Sequence, residues 1–288
     1  MAVLIIHGGA GKLLYEQEHR EGINQALKVG WEILKKRDKA LDVVCKTVVN
    51  MEDNPTFNCG TGSVLTIDGK VEMDASIMTD DGQFGAVGAI SKVKNPIMVA
   101  RKVMEQTDHL LMVGDGATRF ARLMGFEKFE KITRRSRERL ANLKREGKSI
   151  YFPKLTKYLR LGTVGAIALD TNKRIAVATS TGGINGRLSG RVGDSAIIGA
   201  GVYANKNGAA TATGHGEMIM KMFLSKMVVD LMKKYSAQKA VDIALKEVKR
   251  NKALCGIIAL DRNGNVGYGY SSQSMSWGYI VDDKTVIF

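Results

Sequence analysis

Leu161-Gly162-Thr163-Val164-Gly165 opens, and Thr179-Ser180-Thr181-Gly182-Gly183 closes, the stretch from which the fold can be read. Between them, Val164 to Leu169 and Arg174 to Ser180 are short β-rich runs flanking the polar turn Asp170-Thr171-Asn172-Lys173, which predicts a hairpin. Downstream, helical spacing over about His215 to Lys233 and Ser236 to Lys249 precedes strands near Gly256 to Leu260 and Asn265 to Tyr270, joined at Asn263-Gly264. Upstream, the chain opens with a buried strand, Val3 to Ile6, running into the glycine turn His7-Gly8-Gly9-Ala10-Gly11. Ile23, Leu27, Trp31 and Leu34 then recur at helical spacing, and a second helix from near Asp38 turns Val44, Val48 and Met51 inward. Asn58 to Ile90 is β-rich, with Asp68-Gly69 as its hairpin signal. Asn95-Pro96 opens a third helix through Met104, and a fourth covers about Asp115 to Met124. Each half therefore pairs hairpin-linked strands with helices. The expected class is α+β, with antiparallel sheets packed face to face and helices outside.

The chain has 288 residues, 44% of them hydrophobic, enough for a sizeable core. Its formal net charge of +14 would ordinarily point to nucleic acid or an anionic surface. Most of that excess sits between Lys131 and Arg160, where 11 lysines and arginines stand against only Glu138 and Glu146. Such a run reads as a solvated helix and loop, a linker of about residues 127–160 between two well-patterned halves. Neither a nucleic-acid nor a membrane partner is expected. Cys45, Cys59 and Cys255 are odd in number and scattered, so no disulfide framework is implied. The N-terminus lacks a basic n-region, and no stretch approaches the roughly 20 apolar residues of a membrane span. The expectation is a cytoplasmic protein.

Several chemistries find no support. A P-loop is absent, the dinucleotide fingerprint fails after Gly11, and there is no HExxH or G-x-S-x-G. What stands out is threonine, glycine and charge concentrated in four polar segments. Two are those quoted at the start; the others are Gly190-Arg191-Val192-Gly193-Asp194-Ser195 and Ala212-Thr213-Gly214-His215-Gly216-Glu217.

Together these segments resemble the plant-type L-asparaginase and isoaspartyl peptidase family of N-terminal nucleophile hydrolases. The first half is similar as well, in His7 to Gly11, Phe57-Asn58-Cys59-Gly60-Thr61-Gly62-Ser63-Val64, Glu72-Met73-Asp74-Ala75-Ser76-Ile77-Met78 and Asn95-Pro96-Ile97. The likeness spans nearly all of the chain outside about residues 127–160. It departs at Ala196, where the family often has proline.

The resemblance implies a four-layer αββα sandwich, self-cleavage between Gly162 and Thr163, and a dimer of αβ heterodimers built from residues 1–162 and 163–288. The chemical logic is coherent. A threonine hydroxyl needs a neighbouring base, and a freed α-amino group, with a pKa of roughly 7.7–8, is one carried on the same residue. By resemblance, Thr163 would attack L-asparagine or a β-aspartyl dipeptide, with Thr181 tuning its hydroxyl. Thr213 and the Gly214 N–H would form the oxyanion hole, Arg191 would clamp the substrate α-carboxylate, and Asp194 with the Gly216 carbonyl would hold the α-ammonium. Asn58 and the His7 to Gly11 turn would support self-cleavage. No cofactor is required, and the loop 51–61 resembles a sodium site made of backbone carbonyls. Three other readings stay open at this point: a glycosylasparaginase-like hydrolase, an uncleaved non-catalytic homologue that binds, and a basic nucleic-acid binder.

Overall fold

The computed structural model describes residues 1–145 and 162–288, so residues 146–160 of the basic linker lie outside the described part. Twelve strands form among those residues: β1 (Val3–Gly11), β2 (Met73–Thr79), β3 (Phe84–Ile90), β4 (Leu111–Val113), β5 (Val164–Leu169), β6 (Ile175–Thr181), β7 (Val202–Asn205), β8 (Gly208–Gly214), β9 (Cys255–Asp261), β10 (Val266–Tyr270), β11 (Ser274–Val281) and β12 (Lys284–Ile287). The helices are α1 (Glu16–Lys35), α2 (Ala40–Asp53), α3 (Pro96–Gln106), α4 (Gly114–Leu123), α5 (Arg134–Arg145), α6 (Gly216–Met222), α7 (Leu224–Leu231) and α8 (Ala237–Arg250). One sheet has eight strands in the order β12-β11-β1-β5-β6-β2-β3-β4, and the other has four, β10-β9-β8-β7. All pairings are antiparallel except β3 with β4.

Strand periodicity explains the layering. Successive side chains leave opposite faces of a strand, and in the central strands both faces are covered. Leu4 and Ile6 of β1, Val164, Ala166 and Ala168 of β5, and Ala176 and Ala178 of β6 join Ile23, Leu27, Val44, Val48 and Met51 from α1 and α2 in one core. Val3, Ile5, Ile167, Leu169, Ile175 and Val177 turn the other way and meet Val202, Ala204, Ala209, Ile258 and Leu260 of the smaller sheet. The far face of that sheet packs Ala210, Ala212, Ile257 and Ala259 against Val228, Val229, Val241, Ala244 and Val248 of α7 and α8. Each fully buried aliphatic side chain contributes roughly 1.5–3 kcal/mol, so the three cores carry the fold.

Several expectations change. The glycine turn after Ile6 is part of β1, which continues to Gly11 with a bulge between His7 and Ala10. Asp68-Gly69 does form a tight turn, with the Gly69 N–H donating to the Thr66 carbonyl, but no strands flank it. The hairpin of this region is instead the β2–β3 link, where the Thr79 N–H donates to the Gln83 carbonyl and Gly82 takes a φ of +91°. The stretch after His215 is two helices, broken where Phe223 adopts a left-handed φ of 46°. The basic stretch supplies α5, which docks rather than floating in solvent. Leu140 is buried, Ser136 Oγ donates to the Ser63 carbonyl at 2.8 Å, and the Arg139 carbonyl accepts from Asn185 Nδ2 at 3.1 Å. Cys45, Cys59 and Cys255 are free and buried. Among the described residues no helix is long and apolar enough to cross a membrane.

Candidate active site

The polar segments picked out by composition turn out to be strand ends that meet. Thr163 immediately precedes β5, Thr181 ends β6, and Thr213 and Gly214 end β8. The Thr163 N–H donates to Thr213 Oγ1 at 3.3 Å, and Thr163 Oγ1 donates to Thr181 Oγ1 at 3.2 Å. Thr181 Oγ1 also accepts the Gly183 N–H at 3.0 Å, which fixes its lone pairs and leaves its proton free. The N–H and the hydroxyl of the buried Thr163 are thus both engaged by other threonines.

The bond before Thr163 is closely held. Gly9, with a φ of +113°, lies so near Gly162 that a Cβ built on it would fall 2.7 Å from the Gly162 Cα. Any larger residue there would displace the Gly162–Thr163 peptide. From the other side, a Cβ on Gly162 would lie 3.2 Å from that of Asn58. Asn58 ties the segment down: its Nδ2 donates to the Gly183 carbonyl at 2.8 Å, its Oδ1 accepts the Val64 N–H at 2.9 Å, and its carbonyl accepts the Gly182 N–H at 2.7 Å. His7 also faces this region, pairing with Gly165 across β1 and β5. Complete burial lowers its pKa to about 3, only partly offset by its hydrogen bond with the Thr163 backbone. His7 is therefore a neutral imidazole and a poor proton acceptor.

A buried carboxyl lies one strand away. Asp74 stands opposite Thr181 in the β2–β6 pairing, and its carboxylate accepts the N–H groups of Ala89 and Gly193, each at 2.8 Å. That second bond ties the Arg191 to Asp194 turn to the end of β6. Arg191 Nε and Nη2 both reach Glu217 Oε1, at 3.0 and 2.8 Å. Asp194 is buried with its Oδ2 unpartnered, and a Cβ on Gly216 would lie 2.6 Å from its Oδ1. Burial pushes the Asp194 carboxyl up to about 7, against the pull of Arg191. Burial acts most strongly and would raise Glu217, but Arg191 and a backbone hydrogen bond together hold that carboxyl below its usual range.

Every residue expected at the site therefore falls in one connected region. Three participants were not foreseen. Glu217 was visible inside a polar segment, but without a role. Asp74 likewise stood in a segment quoted for the resemblance, without a role, and Arg187 carried no local signal. The buried Arg187 guanidinium donates to the carbonyls of Gly182 and Glu72, bracing the turn after Thr181. Among the described residues no group of three or more His, Cys, Asp or Glu side chains could hold a metal. In the 51–61 loop the main-chain oxygens of Phe57 and Pro55 close on Gly62, where a Cβ would lie 2.1 and 2.6 Å from them.

The family described as Asparaginase (Asparaginase_2) matches residues 1–287. A plant-type L-asparaginase of Pyrococcus horikoshii is 45% identical over 298 residues, covering 98% of this chain and 97% of that protein. Proteins named isoaspartyl peptidase/L-asparaginase are 41% identical in both Xenopus laevis and Homo sapiens, each match covering 98% of this chain and 93% or 94% of the relative.

Proposed function

This chain belongs to the asparaginase family that matches residues 1–287, and on that premise we propose that it is a self-cleaving amidohydrolase acting on L-asparagine and β-aspartyl dipeptides. The observation that carries the reading is the capture of the Thr163 N–H by Thr213 and of its hydroxyl by Thr181, beside a Gly162 closely approached by Gly9 and Asn58. The names of the relatives supply the substrate class. The three cores support a four-layer αββα sandwich.

In the precursor, Thr163 Oγ adds to the Gly162 carbonyl carbon. The C–N bond breaks, the nitrogen takes a proton, and an ester joins Gly162 to the threonine oxygen. Water hydrolyses that ester, leaving residues 1–162 with a new carboxylate and Thr163 with a free α-amine. That nitrogen, at about pKa 7.7–8, then serves as the base that an amide nitrogen could not be. In the mature enzyme it accepts the Thr163 hydroxyl proton as Oγ attacks the substrate's side-chain carbonyl. Negative charge develops on the carbonyl oxygen, facing the Thr213 hydroxyl and the Gly214 N–H; in comparable sites one such donor is worth about 2.7–4 kcal/mol. Ammonia or an amino acid leaves with the proton, and water releases L-aspartate from the acyl-enzyme.

Arg191 holds the substrate α-carboxylate in the fork geometry of a guanidinium, while Asp194 and the Gly216 carbonyl hold the α-ammonium. These contacts require an unblocked aspartyl unit and exclude ordinary peptide bonds. A sodium ion in the 51–61 loop would be held by main-chain oxygens such as those of Pro55 and Phe57 and would stiffen the loop that carries Asn58. Self-association as a dimer of cleaved heterodimers belongs to the same reading.

The test is maturation combined with turnover. Incubated protein should resolve into fragments 1–162 and 163–288 and release L-aspartate from L-asparagine and β-aspartyl dipeptides. Thr163→Ala should stay one chain of 31.3 kDa and release none. Splitting of the alanine variant at that bond would refute self-cleavage.

A further inference from the structure

Arg191 has a partner in the folded chain before any substrate arrives. A guanidinium presents two edges able to engage a carboxylate, one formed by Nε and Nη2 and the other by Nη1 and Nη2. Glu217 takes the first edge with a single oxygen, Oε1, at 3.0 and 2.8 Å. The group packs closely against backbone: a Cβ on Gly193 would lie 2.6 Å from Nη1, and one on Gly216 would lie 2.7 Å from Nη2. The guanidinium is therefore crowded by two glycines, engaged by Glu217 along its Nε edge, and near the buried Asp194.

Glu217 is half-buried, and its place in the chain sets its reach. It is the second residue of α6, it follows directly from the β8 end that carries Thr213 and Gly214, and its Oε2 lies 3.7 Å from His215 Nε2. The same short segment thus places the oxyanion donors, the Gly216 carbonyl and the arginine's anchor. We propose that Glu217 is a positioning residue for substrate recognition. It holds Arg191 by the Nε edge so that the Nη1/Nη2 pair is presented to the α-carboxylate of an aspartyl substrate. This rests on the proposed function, in which Arg191 meets that carboxylate. The contrary role for the same contact is a placeholder, in which Glu217 occupies Arg191 until substrate displaces it. The two roles predict opposite changes in KM.

The experiment uses cleaved full-length protein. It reads kcat and KM for L-asparagine and a β-aspartyl dipeptide, with calorimetric binding of L-aspartate as a direct measure of recognition. Glu217→Ala should raise KM and the L-aspartate Kd at least about tenfold, with kcat within about threefold, because the anchor acts on binding rather than on the acyl transfer. Glu217→Gln should recover most of the loss, since its carbonyl can accept the same two N–H groups. In the Arg191→Ala background, Glu217→Ala should add nothing. Completed cleavage into two fragments reports that each variant has folded. Should the alanine variant fail to mature, Glu217→Asp, which shortens the anchor by one methylene, takes its place with the same expected rise in KM. An unchanged or lowered KM in Glu217→Ala, or a loss undiminished without Arg191, overturns the positioning role. Wild-type protein that binds L-aspartate but turns over neither substrate would refute the proposed function and leave the binding comparison to decide the role of Glu217. Failure to bind L-aspartate as well would refute both.

Discussion

Burial sets the Asp194 carboxyl at about 7, against the attraction of Arg191, so its charge is only partly present at neutral pH. An acid with a raised pKa is ionised above that value and neutral below it. If Asp194 holds the substrate ammonium, KM should fall as pH rises from 6 to 8, while kcat follows the Thr163 α-amine near pKa 7.7–8. Separate pH profiles of kcat and KM check this. Asp194→Asn should flatten the KM profile and raise its floor, and a wild-type KM independent of pH would remove Asp194 from the ammonium site. Much of the site was legible residue by residue. Thr163, Thr181 and Thr213 each stand beside glycine at a strand end, a composition that sequence displays. Glu217 and Arg187 were not, because their roles consist of contacts 26 and 115 residues away along the chain, which no local pattern encodes.

Among the elements, α2, α3 and β6 converge on Glu52. The residue is wholly buried, and its Oε1 accepts from Ser180 Oγ at 2.7 Å and from the Ile97 N–H at 3.1 Å. Burial pushes its carboxyl up to about 8 despite those two donors. The folded protein therefore keeps a proton that the unfolded chain, with a pKa of about 4.5, releases. The unfolded state binds fewer protons between those values, so this group's contribution to stability is full below about pH 4.5 and is lost as pH rises toward 8. Glu52→Gln should remove that slope. Melting curves should show the variant gaining on wild type by about several degrees between pH 5 and pH 8, given about 2–4 °C per kcal/mol in larger domains. Parallel melting curves for the two proteins would show that Glu52 is ionised in the fold. At this scale the sequence misled where its signals were weakest. β8 is composed of glycine, alanine and threonine, with no large apolar alternation to announce a strand. The α6–α7 break falls on Phe223, where neither glycine nor proline marks it. Asp68-Gly69 is a true turn whose flanks found other partners.

For the whole molecule, the α+β class followed from hairpins and amphipathic helices. The order of strands did not, since pairing between distant segments leaves no periodic trace. That order governs what a cut at Gly162–Thr163 would do. Across the large sheet β12 and β11 come from the second fragment, β1 from the first, β5 and β6 from the second, and β2, β3 and β4 from the first. Neither fragment can leave without breaking pairings on both sides of β1 and between β6 and β2. The cut protein should stay whole when diluted to nanomolar concentrations, as size-exclusion chromatography under native conditions can establish; separation of the fragments would contradict the interleaved sheet. Unfolding is another matter. The precursor refolds as one molecule, at a rate indifferent to how many others are present. Two fragments must first find each other, so their recovery is second order and their melting temperature rises with concentration. Maturation by that cut would change the molecularity of folding: the enzyme would gain its base by giving up the means of reassembling alone.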